Sequence, residues 1–502
     1  MNYRDTKLIV FLKTFPKNEF TEFELFLTSP FFKTGRDLLP FLKTLKKYHP
    51  DFSSDNFTEE NIFKELYPES AYSGKKSKDI IRTLSSSLFK SAEEFLYISK
   101  LRDDKVLRNK TILKDLLHRN LTKYYEQYLK NAYDELESNE SESGKDYLER
   151  FYLERLSTRY YSLTLDFKNM FEHTNKSVEL LSTYFLLDLI RTSNTNYLGG
   201  LTRNIKIIND PVEKLLEVIN LEDVLKLYIN TPQYFRLCFS YYTSKCMKNK
   251  NESALYEKAK KLFFDNKSLL SRYEKNFFYA DLLNIVQSRN VTEDTAMKKE
   301  IFFLVNSCLK DKAYKISDAD YMQPDFYRNA VLIANYFKEY DWIDNFIKKY
   351  TDELKPEYRN NMKYYSLSLI YFGKCDFENS LEALSKVKYN LDLFKIDLKI
   401  LMAKIFYELN LNEQAQSLAD TFKHFIRNSE KMRPEIKEAH SNFLRYYLNL
   451  FKMKSSGNFK ESEFILNEMI KEKYLFQKIW LTEKVKEFET KITSGKKTSQ
   501  NH

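Results

Sequence analysis

Three segments of the chain align without gaps. They are Tyr336-Phe337-Lys338-Glu339-Tyr340-Asp341-Trp342, Tyr371-Phe372-Gly373-Lys374-Cys375-Asp376-Phe377 and Phe406-Tyr407-Glu408-Leu409-Asn410-Leu411-Asn412, each starting 35 residues after the last. In each, an aromatic pair closes one helical stretch, a short polar turn follows, and a second helical stretch begins. The apolar residue four positions before the pair recurs as Leu332, Leu367 and Met402, and the residue after each turn as Asn345, Ser380 and Ala415. A fixed period of this size marks repeated helical hairpins, which bury their apolar faces by stacking.

Outward from this core, nearly every longer segment shows the i, i+3, i+4 apolar spacing of a helix, and two-residue alternation is almost absent. The expected fold is all-α, about three quarters helical and without a sheet. Thr58 with Glu59 and Glu60 reads as a helix start that stops near Tyr67-Pro68. Longer helices are expected over 78–101 and 106–136, the latter interrupted at most near Asn120. Breaks are expected at 138–144, at 194–200 and at Asn209-Asp210-Pro211. This gives an N-terminal helical domain of short helices (1–101), long helices and irregular hairpins (102–230), a repeat domain (231–493) and a disordered polar tail (494–502).

Composition removes several function classes. The 502 residues include only eight glycines, whereas phosphate-cradling loops and dinucleotide folds depend on glycine. No GxxxxGK[ST] exists: Gly74-Lys75-Lys76-Ser77 lacks the upstream glycine, and Lys76 stands where the hydroxyl belongs. GxGxxG, HExxH and GxSxG are also missing, and no two of His49, His118, His173, His424 and His440 are i, i+4 neighbours. His424 and His440 can meet only across a hairpin. Cys238, Cys246, Cys308 and Cys375 form no CxxC pair, so buried reduced thiols and a cytoplasmic location are expected. The run Leu8 to Leu12 is too short for a signal-peptide core, and Leu180 to Ile190 too short for a membrane span. No cofactor, metal or membrane partner is expected. The surplus of Lys, Asn, Phe and Tyr over Gly and Ala suggests an AT-rich bacterial genome.

The repeat resembles the tetratricopeptide repeat, a helix–turn–helix unit of 34 residues. The small residue of the first helix is matched by Ser368 and Ala403 but replaced by Ile333. The turn glycine is replaced by Tyr340, Cys375 and Asn410, and the closing proline is approximated by Pro356. The resemblance is clearest over 325–430 and implies an α-solenoid of stacked hairpins with a concave, partner-binding groove. Carried over position by position, the groove consists of Tyr327, Ala330, Ala334 and Phe337, then Met362, Tyr365, Leu369 and Phe372, then Asp397, Ile400, Lys404 and Tyr407. Tyr327, Phe337, Met362, Tyr365, Phe372, Lys404 and Tyr407 are its candidate contacts. The second member of each aromatic pair is then expected in the groove wall and the first in the core. A groove of this character suits an apolar or amphipathic peptide, and equally the protein's own helices. The N-terminal hundred residues are similar to uncharacterised bacterial proteins that also precede helical repeats, a likeness that implies no activity.

Charge opens a second reading. Lys+Arg number 81 and Asp+Glu 71, a net charge of +10. Residues 1–123 hold 23 basic and 17 acidic groups. Within Lys100 to Lys123, Lys105, Arg108, Arg119 and Lys123 are candidate phosphate contacts, interspersed with Asp103, Asp104 and Asp115 as on an ordinary solvated face. Residues 58–101 have a helix–loop–helix outline with Lys75, Lys76, Lys78 and Arg82 at the second helix start, where a DNA reader presents its recognition helix. The sequence therefore points first to a non-enzymatic protein- or peptide-binding scaffold. A nucleic-acid-associated regulator is the alternative, followed by an enzyme whose site forms only in three dimensions.

Overall fold

A computed structural model describes residues 3–32, 35–138, 143–205, 207, 210–249, 252–289, 295–388, 394–430, 432–457 and 461–498. It is 79% helix and, among the described residues, contains no strand. No helix among them is long and apolar enough to cross a membrane.

The chain divides into two compact units, residues 1–139 with 155–171, and residues 140–154 with 172–502. The division falls inside two long helices. The first unit holds α1 (Lys7–Leu12), α2 (Lys17–Thr28), α3 (Leu39–Lys46), α4 (Glu59–Leu66), α5 (Lys75–Asp103), α6 (Lys105–His118) and α7 (Tyr125–Ser138). α8 (Ser143–Leu163) and α9 (Phe167–Arg203) pass through the division. The second unit continues with α10 (Pro211–Val218), α11 (Leu221–Leu227), α12 (Tyr234–Lys248), α13 (Ser253–Asn266), α14 (Arg272–Arg289) and α15 (Thr295–Lys310). Then come α16 (Pro324–Tyr336), α17 (Tyr340–Tyr350), α18 (Pro356–Gly373), α19 (Phe377–Ser385), α20 (Lys395–Glu408) and α21 (Asn412–Asn428). α22 (Pro434–Ser456), α23 (Ser462–Lys471) and α24 (Lys478–Thr498) complete it.

In the first unit, α5 is the central element against which α1, α2 and α4 pack. Its buried stripe of Ile81, Leu84, Leu88, Ala92 and Phe95 meets Leu8, Leu12, Phe20, Phe23 and Phe63. Thr58 caps α4 as expected, its hydroxyl accepting from the Asn61 amide at 3.2 Å. The chain reverses at Asn120, which takes the left-handed conformation (φ 58°). The stretch 106–136 is therefore a hairpin of α6 on α7. Residues 139–142, most of the expected linker, lie outside the described residues.

In the second unit, consecutive helices pair: α12 with α13, α14 with α15, α16 with α17, α18 with α19, α20 with α21. First helices of neighbouring pairs also touch: α12 with α14, α16 with α18, α18 with α20. Proline at the first turn starts α16, α18 and α22, where its missing N–H has no helical partner to lose. Two expectations differ from what is seen. α9 runs unbroken through 194–200 despite Gly199 and Gly200, and α24 remains helical to Thr498, four residues past the expected start of the tail. Residues 499–502 lie outside the described residues.

Candidate functional site

The first helices of the repeat all stop in the same way, and that stop fixes their register. Lys338, Cys375 and Asn410 adopt the left-handed conformation (φ 58°, 61° and 58°). The following amide then reaches back to a carbonyl inside the helix: Glu339 to Ala334 at 3.0 Å, Asp376 to Tyr371 and Leu411 to Phe406 at 2.9 Å. This 6→1 closure satisfies carbonyls that the helix end would otherwise leave open. Ile333, Ile370 and Ile405 precede it and are buried in all three. The structural series is thus Ala334, Tyr371, Phe406. Tyr336 does not belong to it, because the first turn falls two residues earlier than the gapless alignment places it.

The seven groove candidates take up two kinds of position. Tyr327, Met362, Tyr365 and Tyr407 are buried and offer no surface to a partner. The Tyr327 hydroxyl lies 3.0 Å from that of Thr351, and its ring packs on Phe346 at 4.7 Å. Tyr407 meets Phe451 and Trp480 edge-on at 5.2 and 5.4 Å. Phe337 and Phe372 are half-buried, against Phe302 (5.8 Å) and Phe377 (5.5 Å). Lys404 extends its ammonium to 5.9 Å from the Phe372 ring and 5.5 Å from that of Trp480. The expected split of each aromatic pair is not found. Both members are half-buried at 336–337 and 371–372, and at 406–407 it is the second member, Tyr407, that is buried.

Arg328 on α16 reaches past α18 to Asp397 on α20, its Nη2 donating to Oδ1 at 2.8 Å and its Nε to Oδ2. Burial works against the Arg328 cation, yet the Asp397 carboxylate outweighs it and holds the group above its ordinary value. Burial, with the Asp397 charge adding to it, pushes the nearby Tyr365 phenol well up. Farther along, Lys484 on α24 pairs with Glu408 on α20 at 2.8 Å.

α14 meets the C-terminal half of α9. The Arg191 guanidinium lies over the Phe277 ring at 4.1 Å, and its Nη1 donates to the Tyr273 hydroxyl at 3.2 Å. One turn on, Asp281 accepts from the Thr243 hydroxyl at 3.5 Å. Burial pushes its carboxyl up to about 7 against the pull of Arg191 and Thr243. Tyr197 and Leu198 pack against the hairpin core. Beyond them, the Leu201 carbonyl accepts from Arg433 and the Asn204 amide donates to the Glu430 carbonyl, both at 3.3 Å. The other half of α9 is open: Val178, Leu181 and Phe185 are 59%, 41% and 45% exposed. Its opposite side, Leu180, Thr183, Leu186, Leu189 and Ile190, is buried.

The basic candidates are only partly available. Lys105 pairs with Glu135 (3.4 Å) and Arg119 with Asp115 (2.6 Å). Arg108, Lys114 and Lys123 are exposed. Lys75, Lys76, Lys78 and Arg82 are exposed too, but on a 29-residue helix that forms the centre of its core, not on a short recognition helix. His440 is buried and His424 is exposed, the latter within 2.9 Å of Asn428. Among the described residues no group of three His, Cys, Asp or Glu could hold a metal ion.

Sequence reasoning missed two features. Glu154 is buried, with Oε2 2.5 Å from His173 Nδ1 and Oε1 2.9 Å from the Lys176 ammonium. Nothing in the sequence distinguishes it among 71 carboxylates. The role of α9 is the other, although its run of apolar residues on both sides was a usable signal. No protein-family model, curated protein or solved structure matches the chain.

Proposed function

We propose that the chain is a non-enzymatic scaffold that binds another protein in the cytoplasm, built as a tetratricopeptide-like α-solenoid. Two packing patterns support the solenoid reading: each helix pairs with its successor, and first helices contact first helices. The observation that carries the function is α9. On one side α9 buries Leu180, Leu186, Leu189 and Ile190, while on the other Val178, Leu181 and Phe185 follow one another at one-turn spacing and lack a cover. Exposed aromatic and aliphatic side chains in one stripe are the ordinary anchor of a protein contact. This stripe offers more open apolar surface than the seven carried-over positions, of which Tyr327, Met362, Tyr365 and Tyr407 are buried.

A photo-crosslinking residue at position 185 tests the reading in native cells. Capture of one defined protein there, with none at the more exposed Tyr97, is the expected result. Equal labelling at both sites would refute it.

A nucleic-acid reading is supported by the exposed Arg108, Lys114 and Lys123. It requires binding at about 50 mM salt that falls steeply by 200 mM, since each neutralised phosphate releases counterions. Absence of binding at the lower salt would remove it.

A further inference from the structure

We infer that the C-terminal end of α9 with Asn204, residues 191–204, is an internal ligand of the inner face of the hairpins, seated through Arg191 at one end and Arg433 at the other, and that it leaves this seat without the hairpins unfolding. The inference rests on the solenoid reading for the word inner, but not on the proposal that α9 binds a partner through its open half.

Four observations carry it. First, the contacts span the array. Arg191 meets α14, while Leu201 and Asn204 meet residues 430–433 before α22. The 13 residues from 191 to 204 cover about 20 Å of helix, so the segment crosses the intervening first helices. Second, the buried part of the seat is polar. Ser193 and Asn194 are the buried residues between 191 and 201; the Ser193 hydroxyl donates to Glu213 on α10, whereas the Asn194 side-chain oxygen has no hydrogen-bond partner. A buried unsatisfied acceptor is costly, and undocking returns it to water. Third, most of the segment's other side chains are only half-buried, so little apolar area is lost on release. Fourth, Gly199 stands in a helix although a Cβ there would touch nothing within 4 Å. Packing does not demand glycine, so the residue only weakens the helix. Regions of this kind open locally, at less cost than global unfolding.

The seat defines what can replace it: an amphipathic helix with an arginine positioned over Phe277. Hydrogen exchange on the full chain, wild type and Asn204→Gly, tests release. Asn204→Gly keeps the left-handed backbone and removes only the amide that holds Glu430. Amides 192–203 are expected to exchange faster than those of α18 in the wild type, and roughly tenfold faster again in the variant, as for loss of one hydrogen bond, with α18 unchanged. Exchange of 192–203 in step with α18 in both proteins would overturn the inference. A synthetic peptide of residues 187–204 then probes the seat in trans. It should bind Arg191→Ala/Asn204→Gly, in which both changes lie on the resident segment and leave Arg433 in the seat, at least tenfold more tightly than wild type, and lose affinity when its own arginine 191 is alanine. Binding that ignores that arginine, or no binding to the double variant with an unchanged melting curve, would overturn the seat. Neither result depends on Val178, Leu181 or Phe185, so the partner proposal stands or falls separately.

Discussion

The α18–α19 hairpin and α9 bury apolar residues by opposite means. In the hairpin, small residues sit where the helices cross. Ser368 and Ser380 are buried, and each hydroxyl donates to the other's carbonyl at 2.8 Å. The polar atoms at the crossing are satisfied and the backbones come close. α9 has apolar residues on both sides, an unsatisfied amide oxygen in its seat and an open stripe. The difference separates two things that apolar content alone confuses, a core and a contact surface. The α18–α19 crossing has small residues and satisfied polar atoms. α9 has neither property throughout its length.

The largest effect should come from truncating the hairpin core. Tyr327→Ala is expected to lower stability by about 3–5 kcal/mol, the range for a fully buried aromatic, read from denaturant unfolding. Leu181→Ala on the open stripe should stay within roughly 0.5 kcal/mol. Comparable losses at the two positions would break the comparison, because the stripe would then be part of a core.

Next in size is the bridge across the inner face. Asp397→Ala leaves the Arg328 cation without its partner and should cost roughly 2–3 kcal/mol, towards the lower end because the Arg328 side chain keeps 26% of its surface. Replacing both residues with Met and Leu should recover most of that loss. If the double replacement is as unstable as the single one, the bridge is more than a paired charge.

Asp281 gives a pH dependence of opposite sign to that of Asp210, Glu213 and Asp311, whose carboxyls are lowered in the folded chain. Its carboxyl is raised in the folded state, chiefly by burial. The folded chain therefore holds a proton there that the unfolded chain has released. The stability it contributes is complete below its unfolded value near 4 and is lost as pH rises towards about 7. Asp281→Asn should flatten the difference between pH 4 and pH 7 melting curves relative to wild type. A variant with an unchanged pH profile would show that Arg191 compensates the charge fully.

Much of this was legible in the sequence. Helical content follows from the 3.6-residue period, and Thr58, Asn120 and Asp210-Pro211 act where residue chemistry puts them. What could not be read is long-range. Asp397 was placed in a groove by family position, but its partner Arg328 lies 69 residues away, and no local pattern links them. The repeat register failed by two residues at Tyr336 for a related reason. The stop is set by whichever residue goes left-handed, here Lys338, and a glycine-poor chain gives no letter to mark it.

That last point yields the smallest and sharpest test. Cys375 is exposed, left-handed and makes no use of its side chain in the turn. A side chain in this conformation crowds its own backbone at a cost of about 1–2 kcal/mol, which glycine avoids, although glycine gains freedom in the unfolded chain and gives part of that back. Cys375→Gly should therefore stabilise by about 0.5–1 kcal/mol. Asn204 ends α9 in the same conformation (φ 53°), but its amide also holds the Glu430 carbonyl. Asparagine tolerates the left-handed region better than cysteine, so glycine relieves less strain there while removing a contact. Asn204→Gly should leave global stability nearly unchanged and loosen α9 alone. If both glycines stabilise equally in thermal melts, and exchange at 192–203 does not move, the end of α9 is an ordinary helix stop and the two regions are alike.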